Sequence, residues 1–124
     1  MVLALGATAL LGAESDDFYD GAFRRGVAAY EAGTYDVAIT RLRIAAFGFI
    51  DDLARFETAQ AYIAVAAQRL NRPDDAKLAL RRIVAAERVE RRFASLQIPP
   101  ELRTAITTAA KDLLPPQQSA LLSP

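Results

Sequence analysis

The side chains best suited to acid–base chemistry come as three adjacent carboxylate pairs, Asp16-Asp17, Asp51-Asp52 and Asp74-Asp75. Paired carboxylates can divide the roles of general acid and general base. Each pair, however, stands where a helix is expected to begin, and acids in a first turn are stabilised by the positive end of the helix dipole. Their placement needs no catalytic explanation. The chain has no histidine and no cysteine, which removes the commonest general base and metal ligand, thiolate sites and disulfides. Glycine-rich phosphate loops and serine nucleophile motifs are also missing. The expectation is a non-catalytic chain, with no cofactor and no metal.

A second set of charged residues, Lys77, Arg81, Arg88 and Arg92, falls at helical spacing, with Arg91 adjacent. Like charges four apart cost an isolated helix a few tenths of a kcal/mol each, a cost that an acidic partner would offset. The alternative is a solvated face, with Glu87 and Glu90 compensating and cations favoured near a helix C-terminus. The first 62 residues carry nine acids and five bases and the remainder six acids and ten bases, so charge is polarised along the chain. Overall, 15 basic and 15 acidic residues cancel. No global field favours nucleic acid or an anionic membrane.

The elements that must position these groups are helices. At 124 residues the chain is one small domain; 52% of it is hydrophobic and alanine is the commonest residue, which suits closely packed helices. Its organising stretch is Tyr30-Glu31-Ala32-Gly33-Thr34-Tyr35-Asp36-Val37-Ala38-Ile39. Gly33 can end one helix in the left-handed conformation, Thr34 can cap the next, and Asp36 adds negative charge to its first turn. A first helix is expected over 16–32, with Tyr19, Ala22, Phe23, Gly26, Ala29 and Tyr30 on one stripe. A second is expected over 35–47, facing inward through Ala38, Leu42 and Ala45. The segment 47–50 should turn the chain while keeping its aromatic side chains in the core.

A third helix, capped by Asp51 or Asp52 and reaching Leu70, is apolar or small almost all round over 58–68 and is expected at the centre of the domain. Asn71 closes it. A fourth runs from Pro73 to about Glu90, with Ala76, Ala79, Leu80, Ile83 and Ala86 inward. The paired prolines Pro99-Pro100 start a fifth, over 100–114. Residues 115–124 lack a helical period and read as a tail or linker. At the other end, residues 1–13 carry no charge and offer Ala7, Ala9, Gly12 and Ala13 as small residues before Glu14. Such a run is too short to span a bilayer and matches the apolar part of a secretory signal peptide. An extra apolar helix packed on the domain or a partner is the other reading. The domain proper is thus 14–114.

The two hairpins repeat at 38 residues: Gly33 aligns with Asn71, Ala38 with Ala76, Leu42 with Leu80 and Ala45 with Ile83. Together with Gly26, Tyr30 and Tyr35 in the first unit and Ala64 in the second, this pattern resembles the tetratricopeptide repeat family. The resemblance implies an all-α, right-handed superhelix of antiparallel hairpins, about five helices in all with the last as a cap, acting in protein–protein interaction. Neither unit has the family's first-helix tryptophan or its closing proline.

By that resemblance and by helical phase, the first helices line a groove showing Phe23, Val27 and Tyr30, joined by Thr58, Ala61, Tyr62, Val65, Gln68 and Arg69. Aromatic anchors beside a few polar groups suit a peptide; the competing reading places the same aromatics in the core. The expected partner is a protein or peptide, with a second copy of the chain as the alternative, and with no nucleic acid and no integral membrane span. A structural self-association domain or a helical spacer in a larger protein is the other function class. Export implies a periplasmic or secreted location; a chain that keeps its N-terminal run would be cytoplasmic.

Overall fold

The computed structural model describes the backbone of residues 2–123 and the side chains of residues 16–123. Among the described residues there are six α-helices and no strand: α1 (Val2–Glu31), α2 (Tyr35–Gly48), α3 (Leu53–Arg69), α4 (Pro73–Val89), α5 (Pro100–Leu113) and the single turn α6 (Pro116–Ser119). Two 3-10 turns, Phe93–Ser95 and Ala120–Leu122, complete the chain. The protein is all-α.

The 38-residue repeat is built into the backbone. Gly33 has φ +79°, and around it the N–H of Gly33 donates to Tyr30 O at 3.0 Å while that of Thr34 donates to Ala29 O at 2.9 Å. This double closure ends α1 and satisfies two carbonyls that would otherwise lack donors. The same corner recurs at Asn71, φ 57°. There the N–H of Asn71 donates to Gln68 O and that of Arg72 to Ala67 O, both at 2.9 Å. Asparagine is among the few residues with a side chain that visit this region readily. The aligned pairs Ala38 and Ala76, Leu42 and Leu80, and Ala45 and Ile83 are all fully buried.

Thr34 departs from its expected role. Its hydroxyl donates backwards to Ala29 O at 3.0 Å and so seals α1, leaving α2 without a side-chain cap. Asp52 does cap α3, accepting from the N–H of Arg55 at 3.3 Å.

The pattern of close approaches explains the small residues. A methyl group on Gly26 would meet Leu42 Cγ at 2.7 Å, and one on Gly48 would meet the ring of Tyr19 at 2.1 Å. The α1–α2 crossing therefore has no room for a side chain at either position. α3 packs between α2 and α4, with α5 and part of α1 also against it. From Glu57 to Ala67 every residue of α3 except Thr58 is buried, which places this helix at the centre of the core.

Two expectations about the ends need revision. α1 runs unbroken through Ser15, so no helix start stands at residue 16. Of the expected signal-like segment, residues 1–13, the backbone of 2–13 lies on this helix; Met1 and the side chains of the segment lie outside the described residues. No helix among the described residues is long and apolar enough to cross a membrane. At the other end the expected tail is not loose. After Pro115, α6 and the last 3-10 turn fold back so that Leu122 is fully buried with Leu114. Arg91 Nη2 donates to Leu121 O at 3.5 Å. Two adjacent leucines dock this segment without any helical period to announce them.

Candidate functional site

A concavity of about 610 Å³ lies between α2 and α4 over the first half of α3. α2 contributes Arg43, Ala46 and Phe47, the turn after it Ile50, α3 Phe56 and Gln60, and α4 Leu78 and Arg82. The walls are apolar and open to solvent: Phe47 is 70% exposed, Ile50 57% and Leu78 44%. On the floor, Gln60 is buried and its Oε1 has no hydrogen-bond partner within the fold. A buried amide oxygen left unpaired costs about 1–3 kcal/mol. The two charged residues lining the groove are both arginines, of which Arg43 reaches Asp75 at 3.7 Å.

The outer face of α2 continues this surface. Val37 and Ile44 are exposed there, and with Asp36, Thr40 and Arg41 they line a second, shallower depression of about 350 Å³. The sequence pattern places Phe47 in the core with Phe49; the structure separates them. Only Phe49 is buried, under the guanidinium of Arg55, 4.0 Å from its ring centroid and itself ion-paired with Asp20. Two residues separate the two environments: α2 still includes Phe47, on its outer side, and has ended by Phe49.

The residues expected to line a groove on the first helices separate into two groups. Ala61, Tyr62 and Val65 are buried and serve the core. Tyr62 meets the edges of Tyr30 and Phe23 at centroid separations of 5.0 and 6.3 Å, and Phe23 meets Phe49 at 5.8 Å. Burial raises the pKa of both Tyr30 and Tyr62 above the ordinary tyrosine value. Phe23, Val27, Tyr30 and Thr58 are half-buried, and Gln68 and Arg69 are exposed at the end of α3. The aromatic cluster knits α1, α2 and α3 together, which is why it presents little open surface.

The basic stripe is also divided. Lys77, Arg81 and Arg88 lie along α4, but the helix ends at Val89 and Arg92 turns inward. Its Nη1 lies 3.5 Å from Glu57 Oε1 and donates to Ala86 O at 3.4 Å, while Nη2 donates to Glu90 Oε2 at 3.2 Å. Glu57 and Glu87 are both buried, 0% and 2% exposed. Glu87 accepts the backbone N–H groups of Arg92 and Phe93 at 3.0 Å each and so holds the chain as it leaves α4.

Burial and a hydrogen bond to Glu87 push the Glu57 pKa up to about 9. Burial also opposes ionisation of Glu87, but hydrogen bonds from Glu57 and from the Phe93 and Arg92 N–H groups, with Arg91 nearby, bring its pKa below the ordinary value. The two carboxyls therefore favour sharing one proton. Nothing in the sequence pattern separated these acids from surface ones.

The acid pairs at the helix starts are surface groups: Asp16, Asp17, Asp51, Asp52 and Asp74 are exposed, and Asp75 is half-buried beside Arg43. Compared with protein-family models, with curated proteins and with solved structures, the chain matches none.

Proposed function

We propose that this chain is a non-catalytic, tetratricopeptide-like interaction module that holds a protein or peptide segment in the groove between α2 and α4. The observation that carries this reading is the groove itself: three large apolar side chains stand open on its walls, above a buried amide whose oxygen has no partner. Exposed apolar area gathered in one concave place marks a binding surface, where scattered single residues do not. The rigid frame behind it supports the role, since both hairpins are closed by the same backbone corner and the first is wedged at Gly26 and Gly48. The uncharged, small-residue-rich start of the chain supports a place in a bacterial cell envelope.

Selection of displayed peptides on the full chain tests the module reading, with Phe47→Asp as the counter-target. The expected result is a set of related sequences that bind the chain and lose binding to the variant. Selection that enriches nothing, or only sequences indifferent to Phe47→Asp, overturns it.

A further inference from the structure

The outward residues of α2 have a spacing that the core does not require. Val37, Thr40, Ile44 and Phe47 follow one another at intervals of three, four and three. That is the a and d spacing of a helix seam, a stripe narrower than the face a helix turns to a globular core. α2 already has such a core face, through Ala38, Ile39, Leu42, Ala45 and Ala46. The seam on its other side is thus surplus to folding. It runs along a helix of 14 residues, about 21 Å, which matches a second helix lying alongside better than it matches a short extended peptide crossing over.

Charge defines the occupant further. In heptad terms Arg41 falls at e and Arg43 at g, on the two flanks of the seam, and Arg82 stands across the groove on α4. The acids of this surface, Asp36 and Asp75, lie towards the N-terminal ends of their helices, and Asp75 is engaged by Arg43. The middle of the seam is therefore bordered by cations. An antiparallel second copy would set Arg41 against Arg41 and Arg43 against Arg43, and like charges facing each other across a seam oppose pairing.

Resting on the reading of the chain as an interaction module, we infer that the occupant is an acidic amphipathic helix of a protein partner, laid lengthwise on α2. Its apolar seam meets Val37, Ile44 and Phe47, with Leu78 and Ile50 closing over one side. Its flanking carboxylates lie between Arg41 on one edge and Arg43 and Arg82 on the other. Gln60, at the bottom of the groove, pairs with whichever polar side chain of that helix reaches it, since an amide offers a donor or an acceptor by a half-turn about its last bond.

The probes are two side-chain-stapled helical peptides as long as α2, both with leucine at a and d, one with glutamate at e and g and the other with lysine. Binding to the full chain is read by fluorescence anisotropy, beside light scattering across a wide concentration range. The glutamate peptide is expected to bind roughly ten-fold tighter than the lysine peptide, and to weaken as salt is raised. Arg43→Glu combined with Arg82→Glu should reverse that preference, and Phe47→Asp should abolish binding of both peptides. All three positions are exposed, so unchanged melting temperatures establish that the variants are folded.

Equal binding of the two peptides, both lost with Phe47→Asp, overturns the acidic partner and leaves the module standing. So does failure of both peptides when displayed sequences still bind through Phe47. A dimer that dissociates with Phe47→Asp assigns the seam to a second copy and overturns the inference. Failure of the peptides together with an empty display selection overturns both readings.

Discussion

At the scale of single residues the most consequential group is Glu57, fully buried and paired with Glu87 so that its pKa is raised. Its folded-state pKa of about 9 lies above the 4.5 of an exposed glutamate. Between those values the unfolded chain has released the proton that the folded chain keeps. Stability therefore falls as pH rises through that window. Glu87 is shifted the other way, so its contribution is lost only on acidification below the ordinary carboxylate range.

Glu57→Gln keeps the hydrogen bond and removes the titration. Urea denaturation should find the variant close to the parent near pH 5 and more stable near pH 8, by at least about 1 kcal/mol; a gap that does not grow with pH would refute the shared proton. Gln60 makes the opposite kind of case. Gln60→Leu removes an unpaired buried oxygen and should raise stability by about 1 kcal/mol, while weakening whatever binds the groove. A variant both less stable and unaltered in binding would mean that the amide serves the core.

At the scale of elements, the corners and crossings explain both what the sequence revealed and what it hid. Gly33 and Asn71 were legible as helix closures because few residues adopt positive φ; α1 and α3 end just before them, and α2 and α4 begin just after. Gly26 was legible on the inward stripe of the first helix. Gly26→Ala should cost about 1–3 kcal/mol, since Leu42 cannot withdraw from a fully buried site; calorimetric melting would show it.

The helical turn at the C-terminus was not legible, because two prolines and two polar amides precede its leucines and give no period to follow. Leu122→Ala should nonetheless cost about 2–5 kcal/mol, and a loss near zero would show that the segment docks without stabilising. The groove was hidden for a related reason. α2 has two apolar faces, and the inner one, rich in alanine, drew attention from the outer seam of Val37, Ile44 and Phe47.

At the scale of the whole molecule, balanced charge conceals local order. The cations that flank the α2 seam come from both halves of the sequence, Arg41 and Arg43 from one and Arg82 from the other, and only folding brings Arg43 and Arg82 to one groove. Light scattering of the chain without partner is expected to give a monomer mass at micromolar concentration, because the cations oppose self-pairing; a concentration-dependent dimer would redirect the surface to self-assembly.

The 38-residue step has one more outcome. It carries Tyr19 onto Glu57 and Phe49 onto Glu87, so the place that one hairpin fills with aromatic rings the other fills with two carboxyls and a proton. The two halves of the molecule then come apart for different reasons. Heat should challenge both together, whereas alkali should loosen α4 and the chain beyond it first, leaving α1 and α2 closed. Amide exchange followed site by site above neutral pH would see the molecule open from its C-terminal side.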